Sequence, residues 1–178
     1  MSVVSDDADG ATLAVEHLLG LGRTRIAHVT GPIHHAAARD RAAHTADLLA
    51  RAGLALAGGR AYCGDWGEAW GRRAAQVVLR AAPDTDAFFC GYDQIARGVA
   101  EALRERGAQV PDDIAIVGHD NWDSMAQAAR PPLTTIDMNL GEIGCIAALR
   151  LLAQIDATAP REAGAATVPC RLIVRDSA

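Results

Sequence analysis

The chain has 178 residues, of which 50% are hydrophobic and 22% are charged. This length supports one substantial core but not two full domains. No run of residues approaches the roughly 18 uninterrupted apolar positions of a spanning helix, and the first residues lack the basic and apolar regions of a secretory signal. We therefore expect a cytoplasmic protein that has no membrane partner. The net charge of −5 argues against nucleic-acid binding by this stretch itself, because phosphate binding requires clustered positive charge.

The predicted elements alternate between short apolar strands and amphipathic helices. This alternation predicts a parallel sheet with crossover helices on both faces, which is a three-layer α/β/α fold. Strands are expected at 2–4, 26–30, 61–64, 88–91, 114–118 and 133–136, and helices at about 9–22, 36–52, 67–80, 94–106 and 139–155. The alternating tail from 168 to 175 is typical of an edge strand or of a hairpin partner.

Polar residues at the predicted boundaries suggest how several helices begin and end. Asp9 and Asp93 are expected N-caps, and Asn139 with Glu142 forms the pattern of a capping box. The small and polar stretch from 156 to 166 is expected to be a loop.

Polar and aromatic residues follow the predicted strands closely. In open α/β sheets, ligands bind outside the carboxyl ends of the strands, so these residues are the candidate site. A sugar site needs an aromatic face for the C–H surface of the ring and charged or amide groups for its hydroxyls. The candidates of these types are Ser5, His35, Arg41, Trp66, Tyr92, Asp120 and Asn121.

Structural explanations remain open for most of these positions. Trp66 and Trp70 lie four residues apart and could both be packing residues. Arg41 could be a solvated helix residue, and Asp120 could form a turn. Asp65, like Asp9 and Asp93, is of a type found more often at helix caps than in ligand sites.

Motifs for catalysis and for cofactor binding are missing from the sequence. The chain has no G-x-S-x-G elbow, no H-E-x-x-H and neither of the glycine-rich phosphate motifs, and it contains no lysine for a P-loop. Its four cysteines form no C-x-x-C pair, and the adjacent His34 and His35 do not have metal-ligand spacing. We expect reduced thiols, no metal, no cofactor and no enzymatic activity, although a small serine hydrolase remains a weak alternative.

Four stretches, taken in order and spacing, resemble the regulatory core of LacI/GalR-type transcription regulators: LAVEHLLGLGRTRIAHVTGP, GDWGEAWGRRAA, TDAFFCGYDQIARGVAEALRERGAQVPDDIAIVGHDNWD and RPPLTTIDMNLGEIG. The resemblance extends from about Ser2 to Ser177. It implies a type I periplasmic binding protein-like fold in which a sugar-like effector bridges two subdomains. Ranges 8–135 and 165–178 would form most of the C-terminal subdomain, and ranges 1–7 and 136–164 would be the remnant of the N-terminal one.

The resemblance also implies roles for individual residues. Arg41 corresponds to an effector-binding arginine, and Asp120 to the aspartate of V-G-x-D. Trp66 corresponds to the aromatic residue that stacks on the ligand, and Ser5 and His35 occupy other ligand-facing positions. Tyr92 stands where relatives often have a small residue or asparagine, so its hydroxyl could contact the ligand or its ring could fill part of the pocket.

The same resemblance implies partners. Operator DNA would be bound only through an N-terminal headpiece that this chain lacks, and a homodimer is expected. The rival interpretation is a free-standing solute-binding protein of the same fold, against which the lack of a signal peptide weighs.

Overall fold

The computed structural model describes residues 2–156 and 164–178. Strands and helices alternate along the chain, as the sequence predicts, and most predicted bounds lie within one or two residues of those observed. The strands are β1 (Ser2–Ser5), β2 (Ile26–Thr30), β3 (Tyr62–Cys63), β4 (Ala87–Cys90), β5 (Ala115–His119), β6 (Thr134–Asp137), β7 (Ala165–Val168) and β8 (Arg171–Ile173). The helices are α1 (Asp7–Gly20), α2 (Ala36–Arg51), α3 (Glu68–Ala81), α4 (Asp93–Glu105), α5 (Asp123–Ala126) and α6 (Leu140–Ile155), with a 3₁₀ turn at Ala57–Gly59.

The described strands form two sheets. The larger has six strands in the order β3-β2-β4-β5-β6-β8, of which only the edge strand β8 is antiparallel to its neighbour. The smaller sheet is a parallel pair, β1 and β7. The mixed α/β fold with a mostly parallel sheet is therefore confirmed, and the tail forms the predicted edge strand.

Apolar side chains fill both faces of the larger sheet. Ala27, Val29 and Phe88 face the layer of α3 and α4, whereas Ile26 and Phe89 face the layer of α1. Alternate residues of one strand thus enter opposite cores, which explains why these strands appear as continuous apolar runs in the sequence. By the same alternation, the side chain of His28 lies on the face of the sheet that packs against α1. It lies beside Phe89, with 4.8 Å between the two ring centroids.

Two N-cap predictions were wrong, and the predicted capping box does not form. The N-cap of α1 is Asp6, whose carboxylate accepts a hydrogen bond from Asp9 N, and the N-cap of α4 is Tyr92. Asn139 is the N-cap of α6, as predicted, with φ of 57°, but its side chain makes no capping bond, so the capping box does not form. Its N–H donates instead to Asp137 Oδ1 at 2.7 Å.

Two further boundaries differ from the prediction. The polar turn after Trp122 contains the one-turn helix α5. Within the predicted loop 156–166, residues 157–163 lie outside the described residues, but Ala165 and Ala166 belong to β7 and pair with Ser2 and Val3. β7 falls in the range assigned to the predicted C-terminal subdomain, yet it pairs with a strand from the predicted N-terminal remnant. The proposed subdomain boundaries remain a prediction.

Helix α6 differs from the others because none of its side chains is buried. Leu149, Leu151 and Ile155 are each at least 60% exposed. Across residues 2–156 and 164–178, no helix combines the length and the apolar character that crossing a membrane would require.

Candidate ligand-binding site

A pocket of about 300 Å³ lies at the carboxyl ends of the central strands. After β2 the chain builds β3 on one side, and it then returns to build β4 on the other side, so the connections after β2 and β4 diverge. Such a switch point leaves a crevice in open α/β sheets. The pocket is lined by Ala37, Arg41, Trp66, Tyr92, Asp120 and Met138. Four predicted site residues from four separate segments therefore meet in one place.

Arg41 lies in the second turn of α2 and is buried, with 5% of its surface exposed. Its Nε donates to Asp7 Oδ1 at 2.8 Å, and its Nη1 donates to Gly91 O at 2.6 Å. The remaining nitrogen, Nη2, lies 3.8 Å from the sulfur of Met138. Arg41 is consequently not a solvated helix residue: its guanidinium is fixed, its charge is balanced by Asp7, and Nη2 keeps hydrogen-bonding capacity for a ligand.

Asp120 enters the pocket directly after β5. Its backbone has φ of 112°, a conformation that is strained for a residue with a side chain, and its N–H donates to Ile136 O at 2.8 Å. Burial raises the pKa of its carboxyl to about 7; the guanidinium of Arg41 opposes this shift, and the carboxylates of Asp93 and Asp7 add to it. Asp120 is thus both a turn residue and a poorly solvated carboxyl in the pocket wall.

Asp93 supports the loop that carries Asp120. Its Oδ1 accepts from Thr135 Oγ1 at 2.6 Å, and its Oδ2 accepts from Trp122 N at 3.2 Å. A Cβ on Gly118 would lie 2.2 Å from Asp93 Oδ1, so this carboxylate fills the space that a larger residue would need. Burial raises the pKa of Asp93 to about 6, although these hydrogen bonds oppose the shift. The sequence suggested a helix cap at this position, whereas the structure shows a tie between β6 and the 119–122 loop.

Aromatic rings form another wall of the pocket. The centroids of Trp66 and Tyr92 lie 5.8 Å apart in a T-shaped arrangement, and Trp66 Nε1 donates to His35 Nδ1 at 3.0 Å. The indole lies so close to the backbone of Gly31 that a Cβ there would be 2.2 Å from it. Trp70 has no place in this wall: it packs against the core and donates to Thr30 O at 3.0 Å. His35 thus contributes to the pocket indirectly, through the hydrogen bond that it accepts from Trp66.

Ser5 and Asn121 lie outside the pocket. Ser5 lines an adjoining pocket of about 550 Å³, which shares Ala37, Arg41 and Met138 with the first. The amide of Asn121 donates to Asp137 Oδ2 at 3.0 Å and accepts from Arg175 Nη2 at 2.7 Å. Its polar atoms are therefore used in holding the tail against the sheet.

The sequence did not single out Asp7, whose carboxylate fixes Arg41. The partners are 34 positions apart, and the run of acidic residues after β1 was the only available signal. Among the described residues, no group of His, Cys, Asp and Glu side chains is placed to hold a metal. The four cysteines form no disulfide.

Comparison with known proteins identifies the class. The family model for a periplasmic binding protein-like domain matches residues 15–178, and the chain belongs to that family. The ribose operon repressor of Escherichia coli (strain K12) is 38% identical over 138 residues, which are 78% of this chain and 42% of the repressor. The lactose operon repressor of the same organism is 33% identical over 151 residues, 85% of this chain and 41% of the repressor.

Solved structures agree with this assignment. A transcriptional regulator CelR–cellobiose complex superposes with a TM-score of 0.90 at 30% identity, covering 99% of this chain and 53% of that one. The lac repressor dimer bound to operator and the anti-inducer ONPF gives a TM-score of 0.89 at 31% identity, covering 99% and 52%. The resemblance to LacI-type regulators is confirmed, and the chain spans about half the length of the relatives that it matches.

Proposed function

We propose that this chain is the effector-binding part of a DNA-binding transcription regulator, in which it binds a small, uncharged, sugar-like ligand. The observation that carries the proposal is the meeting of Arg41, Asp120, Trp66 and Tyr92 in one pocket at the switch point of the sheet. The relatives include repressors of the ribose and lactose operons, and a similar solved structure is a complex with cellobiose, which supports the same class of ligand.

The chemistry of the pocket suits a polyol. Arg41 Nη2 can donate to a hydroxyl oxygen, and the carboxylate of Asp120 can accept from hydroxyl groups. The indole of Trp66 offers an apolar surface for the C–H groups of a sugar ring. Because the charge of Arg41 is already balanced by Asp7, the guanidinium does not require an anionic ligand, and an uncharged ligand adds no further charge to the pocket.

Regulation would follow from the coupling of this pocket to a distant DNA-binding part. A ligand that binds one conformation better than another shifts the equilibrium between them by its difference in affinity. The net charge of −5 supports the expectation that operator DNA is bound by a separate headpiece and not by this chain. The proposed assembly is a homodimer in the cytoplasm, which sedimentation of the full-length protein would test.

An enzymatic function has little support in the described residues. Ser5 and His44 line the same pocket, but no hydrogen bond joins them, and His44 Nδ1 lies 2.8 Å from the backbone oxygen of Asp40. A nucleophilic serine would need its base within hydrogen-bonding distance. We therefore propose a binding module, for which a panel of ester substrates should show no turnover.

A thermal-shift screen of the full-length gene product with D-ribose, cellobiose and lactose tests the proposal. At least one sugar is expected to raise the melting temperature of the wild-type protein and to lose this effect in Arg41→Ala and Asp120→Ala. Arg51→Ala, on the exposed end of the same helix α2, is the matched control and should keep the shift. A shift that survives both pocket substitutions would overturn the assignment of the site.

A further inference from the structure

His119 is a buried histidine that precedes Asp120 at the end of β5. Its side chain is fully buried, and its Nδ1 lies 3.3 Å from Asp120 Oδ1. Its other ring nitrogen, Nε2, is also buried and has no hydrogen-bond partner among the described residues. The two nitrogens thus have different surroundings: one faces a carboxylate of the pocket and the other faces no polar partner.

The side of the ring that carries Nε2 lies against α1. A Cβ on Gly10 would be 3.1 Å from Nε2 and 3.3 Å from the sulfur of Cys170, so glycine at this position leaves room for the imidazole. Burial lowers the pKa of His119 well below its usual range, and the positive charge of Arg41 and the neighbouring His28 lower it further. The ring is therefore neutral near physiological pH and carries a single N–H.

The position of that proton follows from the two environments. A proton on Nε2 would be a buried donor without an acceptor, which is the costlier kind of unsatisfied group. A proton on Nδ1 points at Asp120 Oδ1, and Nε2 is then only an unused acceptor. The tautomer with Nδ1–H satisfies more of the hydrogen-bonding groups.

The groups around Asp120 oppose one another. Arg41 from α2 favours the ionised carboxylate, whereas Asp7 from α1 and Asp93 from α4 disfavour it. Burial raises the pKa of the phenol of Tyr92, which precedes α4, and the charges of Asp120 and Asp93 raise it further. A donor from His119 on β5 stabilises the ionised carboxylate without adding charge. Among residues 2–156 and 164–178, Oδ2 of Asp120 has no donor, so it keeps its acceptor capacity for a ligand.

We propose that His119 is a positioning residue for effector recognition, in which its Nδ1–H holds Asp120 Oδ1 and leaves Oδ2 as the acceptor for a ligand hydroxyl. The inference rests on the proposed function, because it assigns Asp120 to the ligand. It extends that function by naming a residue that touches no ligand and yet sets the orientation and the ionisation of one that does.

NMR of the full-length protein without any sugar tests the pair directly. The ¹⁵N shifts of the His119 ring at about pH 8, where the Asp120 carboxyl is ionised, should show the neutral Nδ1–H tautomer. The ¹³C-detected titration of the Asp120 carboxyl should have its midpoint near 7. Because a hydrogen bond to a charged group favours the ionised form, His119→Leu should move this midpoint upward by about half to one pH unit.

His119→Asn is the matched variant, since an asparagine amide can place a donor near the position of Nδ1. It should restore most of the wild-type midpoint, which a role in packing alone would not predict. A wild-type Nε2–H tautomer would overturn the proposal, and this measurement decides the matter even if His119→Leu does not fold. An unchanged midpoint in folded His119→Leu would overturn it equally.

Binding of D-ribose between pH 5 and pH 9 extends the test to recognition. The affinity should fall as the pH is lowered through about 7, and in His119→Leu the midpoint of this fall should move upward together with that of Asp120. If D-ribose, cellobiose and lactose do not bind at any pH, the proposed function fails, whereas the NMR result on His119 and Asp120 stands separately. A fall in D-ribose affinity at the wild-type midpoint in His119→Leu would contradict the role in recognition.

Discussion

The pocket rim and the layer formed by α3 and α4 are built in opposite ways. Where α3 and α4 cross, a Cβ on Gly71 would lie 2.1 Å from Ile95 O, and one on Gly98 would lie 2.0 Å from Glu68 O, so the helix backbones touch. At the rim, Asp120 and Asn121 have positive φ, and ionisable groups are buried beside one another. The crossing of α3 and α4 is closely packed, whereas the pocket rim contains strained backbone and poorly solvated ionisable groups. Strain at a binding site persists when the surrounding structure enforces it.

This difference predicts that substitutions at the helix crossing change stability alone, whereas substitutions in the pocket change ligand binding. A change at the helix crossing should lower the free energy of unfolding without altering the pocket chemistry. A change in the pocket should alter binding, and it should also lower stability at Arg41 and increase stability at Asp120. Four substitutions, in order of decreasing effect, test the separation.

Arg41→Ala should have the largest effect, because it leaves the carboxylate of Asp7 without its buried partner. Breaking a buried pair in this way destabilises a protein by about 3–5 kcal/mol; since Asp7 keeps 19% of its side-chain surface exposed, we expect the lower end of that range. Urea unfolding measures the loss, with Arg51→Ala as the control. A loss of under about 1 kcal/mol would show that the pair is solvated in solution.

Gly98→Ala should destabilise the protein by about 1–3 kcal/mol, since the added methyl group meets backbone atoms that cannot move independently. The melting temperature should fall, whereas the affinity for the sugar found in the screen should change little. Gly144→Ala in α6, where a Cβ meets nothing within 4 Å, is the control and should be neutral or stabilising. Equal effects at both glycines would contradict the close contact of α3 and α4.

Asp120→Asn should stabilise the protein without ligand by about 1–2 kcal/mol at pH 8 while weakening sugar binding. The folded-state pKa of Asp120 is raised from 3.8 to about 7, so the folded state holds this proton more tightly than the unfolded state does. Its contribution to stability therefore falls as the pH rises from about 4 to 7, and the substitution should remove that slope. Chemical denaturation at several pH values measures it, with exposed Asp47→Asn as the control. An unchanged slope would contradict the raised pKa.

His35→Ala should have the smallest effect, because it removes only the acceptor for Trp66 Nε1 at an exposed position. We expect a two- to fivefold loss of sugar affinity, of the order of one modest hydrogen bond, and no change in melting temperature. Calorimetric titration measures the affinity, and His34→Ala is the neighbouring control. A loss above about fiftyfold would mean that His35 touches the ligand itself.

The local sequence pattern was sufficient to predict most of the elements. Buried parallel strands appear in the sequence as continuous apolar runs, and helices appear as apolar residues at helical spacing. Strand β2 at Ile26–Thr30 was predicted with its observed bounds. The N-caps predicted at Asp9 and Asp93 were wrong because tertiary contacts hold both carboxylates. Asp9, for example, accepts from Cys170 N at 2.9 Å, a contact across 161 positions.

The candidate site was predicted in part for a similar reason. Residues that directly follow strands, such as Trp66, Tyr92 and Asp120, were found because strand ends are visible in the sequence. Asp7 and His119 were missed because their roles depend on pairing across the fold and on which ring nitrogen has a partner. No spacing rule encodes either relation.

Fluorescence of Trp66 tests the central claim most directly, because this residue lies in the pocket wall and the chain has only two other tryptophans. In the Trp70→Phe/Trp122→Phe variant, the sugar selected by the screen should change the Trp66 emission saturably, with a midpoint equal to the calorimetric Kd. Adding Arg41→Ala should abolish both signals. Calorimetric binding that leaves the Trp66 emission unchanged, and that survives Arg41→Ala, would place the ligand elsewhere and contradict the account.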